Sequence, residues 1–195
     1  MKKLNLLFVF MLTVIFVKAQ EKFELGVSLN SGLYFPEAKE LGYNIDKGLQ
    51  TGIGLNANYF VTKTTKLGLG VVYNYVKTFK TSYYSPEPII PTLHTIEIPF
   101  YIRQYFNKRW FADGGVSTSF HTNEVATIDG KMGVFGRWNL GGGIKFNKLA
   151  VSVNYAQNFK NRTILVESVN SSSISFSDYK RKILYVKLEY PLWNF

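Results

Sequence analysis

The chain has 195 residues, of which 23 are Lys or Arg and 13 are Asp or Glu, with two histidines and no cysteine. The lack of cysteine excludes disulfide staples, thiolate metal sites and a lipid-modified N-terminal cysteine. The net charge of +10 would suit nucleic acid, but an exported chain seldom meets it, and the excess reads as loop and rim charge facing anionic lipid.

Export is read from the first segment. Met1-Lys2-Lys3 is a short positive start, Leu4 to Val17 is apolar apart from Asn5 and Thr13, and Val17-Lys18-Ala19 supplies a cleavage site. Residues 1–19 therefore read as a secretory signal peptide. Their apolar core is too short for a full transmembrane helix. The remainder, 20–195, suits one domain.

Alternating segments then follow in order. Strands are predicted near 22–35, 48–61, 66–79, 94–106, 110–121, 137–146, 149–160 and 180–192. At roughly 10–14 residues they match tilted transmembrane strands and exceed the usual five or six of soluble sheets. Short connectors at 62–64, 107–109 and 147–148 alternate with long ones at 36–47, 80–93, 122–136 and 161–179. Outer-membrane barrels have short periplasmic turns and long outer loops, which would place both termini in the periplasm. Parity supports the turns. A two-residue turn at Asn147-Lys148 pairs Phe146 with Leu149, Ile144 with Val151 and Leu140 with Tyr155, and a turn at 107–109 pairs Ile102 with Gly114.

One parity collects bulky apolar residues, such as Ile96, Ile98, Phe100 and Ile102; the other collects Gly, Ser, Asn and a few charges. An eight-stranded barrel has an interior only just wide enough for side chains, so the large apolar set must face outward, into lipid. The expected fold is all-β: an eight-stranded antiparallel up-and-down transmembrane β-barrel. Its interior should hold a charge network of Glu24, Glu97, Arg103, Asp113, Lys145, Lys187 and Glu189, with Glu97 paired to Arg103 or Lys145. Buried charges need partners whatever their role, so this network reads as a plug. Two aromatic girdles are expected. Tyr59, Tyr105, Phe106, Trp110, Phe146 and Trp193, with Phe60 and Phe111, mark the short-turn end, and Tyr34, Phe35, Phe79, Phe120, Trp138 and Phe159 the other. Pro99 should cost one ladder bond without a bulge.

With the signal ending in Ala19-Gln20, the stretch Ile96-Glu97-Ile98-Pro99 running into Tyr105-Phe106, and a last strand rich in aromatics, the chain resembles the small outer-membrane β-barrel proteins common in Bacteroidota. These are OmpA/OmpX-sized and PorT-like. The resemblance implies an outer-membrane location and hints at an accessory role in protein secretion or assembly.

Motifs for chemistry are weak. Gly68-Leu69-Gly70 and Gly141-Gly142-Gly143 lack the helix and spacing of a phosphate loop. His94 and His121 fall on opposite parities, so the histidine constellation of a lipid-modifying barrel enzyme is not expected. No catalytic residue, cofactor or metal ligand is assigned. The expected partners are outer-membrane lipid and a surface ligand or envelope protein met through the four long loops.

Overall fold

A computed structural model describes residues 22–39, 47–78, 92–122, 126–128, 131–132, 134–159, 162–167 and 173–194; the expected signal peptide and the middles of the long connectors lie outside them. Eleven strands are present: β1 (Phe23–Lys39), β2 (Gly48–Phe60), β3 (Thr65–Thr78), β4 (Thr92–Tyr105), β5 (Trp110–His121), β6 (Ala126–Ile128), β7 (Lys131–Met132), β8 (Val134–Phe146), β9 (Leu149–Asn158), β10 (Arg162–Glu167) and β11 (Ser173–Asn194). The eight long ones, β1–β5, β8, β9 and β11, each pair antiparallel with the next, and β11 returns to pair with β1. The fold is a closed eight-stranded antiparallel barrel. Closure matters because a wall in hydrocarbon has no water for unpaired backbone groups.

Hairpin register is set by the turns. Phe146 pairs with Leu149, Ile144 with Val151 and Leu140 with Tyr155. Asn147 takes a φ of 53°, the left-handed conformation that asparagine tolerates better than most residues. Ile102 sits opposite Gly114, and Asn107 Oδ1 accepts hydrogen bonds of 2.8 Å from the amides of both Arg109 and Trp110, which closes that turn. Across Pro99 the register is continuous: Leu69 pairs with Phe100 and Val72 with Glu97 on one side, and Pro99 faces Ser117 on the other. No bulge forms there.

The two faces are inverted relative to a soluble protein. Leu55 is 65% exposed while Arg103 is fully buried. From Leu29 round to Leu188, every wall presents exposed apolar residues on its outer face, whereas Ser28, Asn58, Asn74, Ser119 and Asn154 are buried. Such a surface is stable only against acyl chains, since a soluble monomer seldom exposes so large an apolar area.

Several expected positions are corrected. The stretches 122–136 and 161–179 are not plain connectors. β10 pairs with both the first part of β11 and β6, and β6 pairs with β7, extending the sheet beyond the barrel. The apolar run Ile164-Leu165-Val166, two of its three residues β-branched, carries this, with Val166 opposite Ile174 and Ile164 opposite Phe176. β11 is consequently 22 residues long, roughly 70 Å at the usual rise per residue. That is more than twice a hydrocarbon core of about 30 Å, so a bilayer round the barrel would leave part of β11 outside it.

Tyr105, Phe111 and Tyr34 also depart from the expected girdles. All three are buried. For the first two the cause is the parity of an inward neighbour: Arg103 and Tyr105 are two apart, as are Phe111 and Asp113. Phe60 is half-buried and packs against Tyr105, Phe111 and Ala150. Tyr59, Phe106, Trp110, Phe146 and Trp193 do lie exposed on the outer wall at the short-turn end. Trp193 reaches it through a bulge: Leu25 pairs with Trp193 but Gly26 with Pro191, leaving Leu192 as the extra residue. A bulge flips the phase of the residues beyond it, so Leu192 and Trp193 both face out.

Ile98 stands midway along β4 and is 40% exposed on the outer wall. Ile98→Arg should destabilise the barrel by about 2–4 kcal/mol, the cost of a cation facing lipid near the midplane, whereas Ile98→Leu should be close to neutral. Urea unfolding in lipid vesicles measures both, and a neutral arginine would mean that the two faces are assigned the wrong way round.

Candidate functional site

The lumen is filled in layers. At the short-turn mouth the rings of Tyr105 and Phe111 lie 5.6 Å apart and pack with Ala150. Above this floor, the Glu24 carboxylate accepts from Lys66 Nζ at 3.1 Å and from Asn58 Nδ2 at 2.9 Å.

The middle layer centres on Arg103. Its Nε and Nη2 both donate to the Asp113 carboxylate at 2.6 Å, a two-pronged pairing that suits the planar guanidinium. The β4–β5 turn sets this contact, since Arg103 and Asp113 are direct cross-strand partners. Nη2 also contacts Glu189, which projects from β11, four walls away from β4 in either direction round the barrel. The lumen is thus bridged from side to side. Lys187 Nζ reaches Glu189 at 3.2 Å, and the guanidinium lies 3.9 Å over the Phe111 ring.

Tyr101 completes the layer. Its hydroxyl lies 2.7 Å from Asn58 Oδ1 and 2.9 Å from Glu189 Oε1. The ring can lie flat against the wall because its cross-strand partners are Gly68 and Gly115. A Cβ on Gly68 would stand 2.2 Å from the tyrosine ring, and one on Gly115 2.8 Å from Tyr101 Cα. Gly68 is thus a steric requirement for seating the tyrosine ring, while Gly115, whose Cβ would first meet Phe100 O at 2.3 Å, allows the close approach of the neighbouring backbone.

In the upper layer Glu97 pairs with Arg137 and accepts from Asn74 Nδ2 at 3.1 Å, while Asn74 Oδ1 accepts from Gln50 Nε2 at 3.1 Å. At the long-loop end apolar residues join the polar ones: Tyr34, Val76, Leu93, Phe135 and Ile183 are buried there beside Gln50, Asn158 and Arg181. The Arg181 guanidinium sits 5.4 Å and 5.5 Å from the Tyr34 and Phe135 ring centroids, within the range of cation–π attraction.

Of the expected charges, Glu24, Glu97, Arg103, Asp113, Lys187 and Glu189 all sit in ion pairs. Lys145 is half-buried and lines a cavity at the short-turn mouth with Lys66, Arg103, Tyr105 and Glu189. That cavity measures about 10 Å³, room for one water. The partner of Glu97 is Arg137, in place of the expected Arg103 or Lys145. Arg103 lies six residues further along the same strand, roughly 20 Å away at strand spacing. Lys66, Arg137, Arg181 and Tyr101 lie outside the expected set, although parity points to Lys66 and Arg137: Lys66 precedes Gly68 by two, and Arg137 precedes Asn139 by two.

His94 stays on the outer wall, where its Nδ1 contacts the Tyr73 hydroxyl and its ring meets Tyr75 edge-on at 5.3 Å. Thr95 is the cross-strand partner of His121, so the two histidines are one step out of register. Among the described residues, the luminal carboxylates of Glu24, Glu97, Asp113 and Glu189 are each bound to a cation.

No protein-family profile matches the chain, and no curated protein does. Solved structures do resemble it. The outer membrane protein OprG from Pseudomonas aeruginosa aligns with a TM-score of 0.51 at 7% identity, covering 88% of this chain and 97% of OprG. The outer membrane enzyme PagL aligns at 0.48 and 14% identity, covering 86% and 99%. Ail, the attachment invasion locus protein of Yersinia pestis, aligns at 0.44 and 10%, covering 88% and 99%. The chain shares the fold of small bacterial outer-membrane barrels, and identities this low carry nothing more specific.

Removing Arg103 would strand Asp113 and Glu189 in the closed lumen. Arg103→Met should therefore cost about 3–5 kcal/mol, as expected when one partner of a buried pair is lost. Lys187→Met should cost about 1–2 kcal/mol, because Glu189 keeps Arg103 and Tyr101. Unfolding titrations in vesicles compare them; equal losses would remove Arg103 from the centre of the network.

Proposed function

We propose that the protein is an integral outer-membrane barrel without catalytic activity, whose lumen is sealed and whose working surface is the sheet projecting at the long-loop end. The observation that carries this reading is the ion pair between Arg103 and Glu189, which joins β4 to the opposite wall, β11, across the lumen. A porin needs a wide wet channel; this interior is paired, layered and capped by aromatics.

With conduction disfavoured, the surface remains. β6, β7, β10 and the start of β11 extend the barrel wall past the bilayer, and projecting strands of this kind suit recognition of a surface ligand or an envelope protein. The resemblance to PorT-like barrels would make that partner part of a secretion or assembly apparatus. A lipid-modifying reading has less support, because His94 and His121 are out of step and His94 is engaged by two tyrosines on the lipid side.

In this reading the short turns and both termini face the periplasm and the long loops face outward. The protein should fractionate with outer membranes and shift its gel mobility on heating. Protease added to whole cells should spare the short turns. In planar bilayers it should give no steady porin-sized conductance. Recovery of folded chain from a detergent-free soluble fraction would overturn the membrane placement; a steady large conductance would overturn the sealed lumen.

A further inference from the structure

The short-turn end carries a ring of cations that the luminal network does not use. Lys22 stands at the head of β1, Lys63 in the β2–β3 turn, Lys108 and Arg109 in the β4–β5 turn, and Lys148 in the β8–β9 turn, and all five are exposed. Among the described residues none of them makes an ion pair. The carboxylates nearest this end, Glu24 and Glu189, are turned inward and already bound to Lys66, Lys187 and Arg103. Among the described residues the rim is therefore positive without internal compensation.

The fold also fixes the depth and direction of these charges. Trp110 adjoins Arg109, Phe106 precedes Asn107, and Phe146 lies two residues from Lys148; Phe106, Trp110 and Phe146 are among the most open residues of the outer wall. Interfacial aromatics sit at headgroup level, so cations one or two residues beyond them stand roughly 3–7 Å further out. The turns are too short to swing away. Thr62 Oγ1 accepts from the amides of Thr64 at 3.1 Å and Thr65 at 2.9 Å, and Asn107 Oδ1 holds those of Arg109 and Trp110. The amide of Phe60 donates to the Lys22 carbonyl at 2.8 Å, tying the start of β1 to the same rim.

We propose that this rim is a binding surface for anionic phospholipid headgroups in the leaflet it meets, with Lys22, Lys63, Lys108, Arg109 and Lys148 holding the phosphates. The inference rests on the membrane placement proposed above and adds to it a lipid preference, confined to one end of the barrel. The ring would anchor the barrel at a set depth, with tryptophan and phenylalanine in the interface and lysine and arginine at the phosphates. A lysine near an anionic surface gains about fivefold in affinity, so several acting together give a measurable choice between lipids.

The test uses the folded barrel reconstituted in vesicles of phosphatidylcholine with one-fifth phosphatidylglycerol, followed by native mass spectrometry of the lipids it retains. The unaltered protein should retain phosphatidylglycerol over phosphatidylcholine by about tenfold beyond their ratio in the vesicle, and added salt should erode the preference. A variant with Lys63→Gln, Lys108→Gln, Arg109→Gln and Lys148→Gln should lose it while keeping its heat-dependent gel shift. A second variant, Lys47→Gln with Lys77→Gln at the opposite end, should retain it. Equal retention of the two lipids by the unaltered barrel, or loss of preference only in the second variant, would overturn the rim assignment alone. Failure of the unaltered chain to insert would overturn the membrane placement and the rim assignment together.

Discussion

Closure of β11 onto β1 is the constraint on which the rest of the molecule depends. Once eight walls form a ring, no strand edge is left to lipid, and the rows of unpaired backbone groups that hydrocarbon cannot satisfy are removed. The ring also fixes the interior width, which admits side chains and little else. That width accounts for the glycines beside Tyr101, the layering of the lumen and the expulsion of large apolar residues to the outer wall.

The narrow lumen turns charge pairing into architecture. Arg103 forms a fork with its hairpin neighbour Asp113 and meets Glu189 on the far wall, so one guanidinium joins a local contact to a long-range one. Buried pairs of this sort contribute little net stability against a well-packed apolar alternative, but they penalise any arrangement that separates them. In a barrel, where slipping a strand by one residue would move its charges into lipid, that penalty favours a single register.

The two ends of the barrel are built differently. The short-turn end is rigid, with side-chain oxygens closing two turns and cations fixed beside an aromatic band. The long-loop end carries the extra pairings of β6, β7 and β10 and the overhang of β11, while Tyr34, Phe135 and Arg181 pack together in its lumen.

The eight barrel walls, their hairpin register and the outward direction of the apolar face were legible in the sequence, though the short β6, β7 and β10 were not, because a period of two is local and each short turn fixes its own pairing. Phe146 opposite Leu149 and Ile102 opposite Gly114 needed no tertiary information. The same parity places Tyr105 and Phe111 inside, once it outweighs the tendency of strand-end aromatics to sit at the interface. Partners across the lumen were a different matter. That Arg103 meets Glu189, and that Glu97 takes Arg137, depends on the height each wall reaches when the ring closes, and no local pattern encodes it. The bulge at Leu192 was hidden for a related reason: it is visible only when β11 is laid against β1, the pairing of the two chain ends that makes the sheet a barrel.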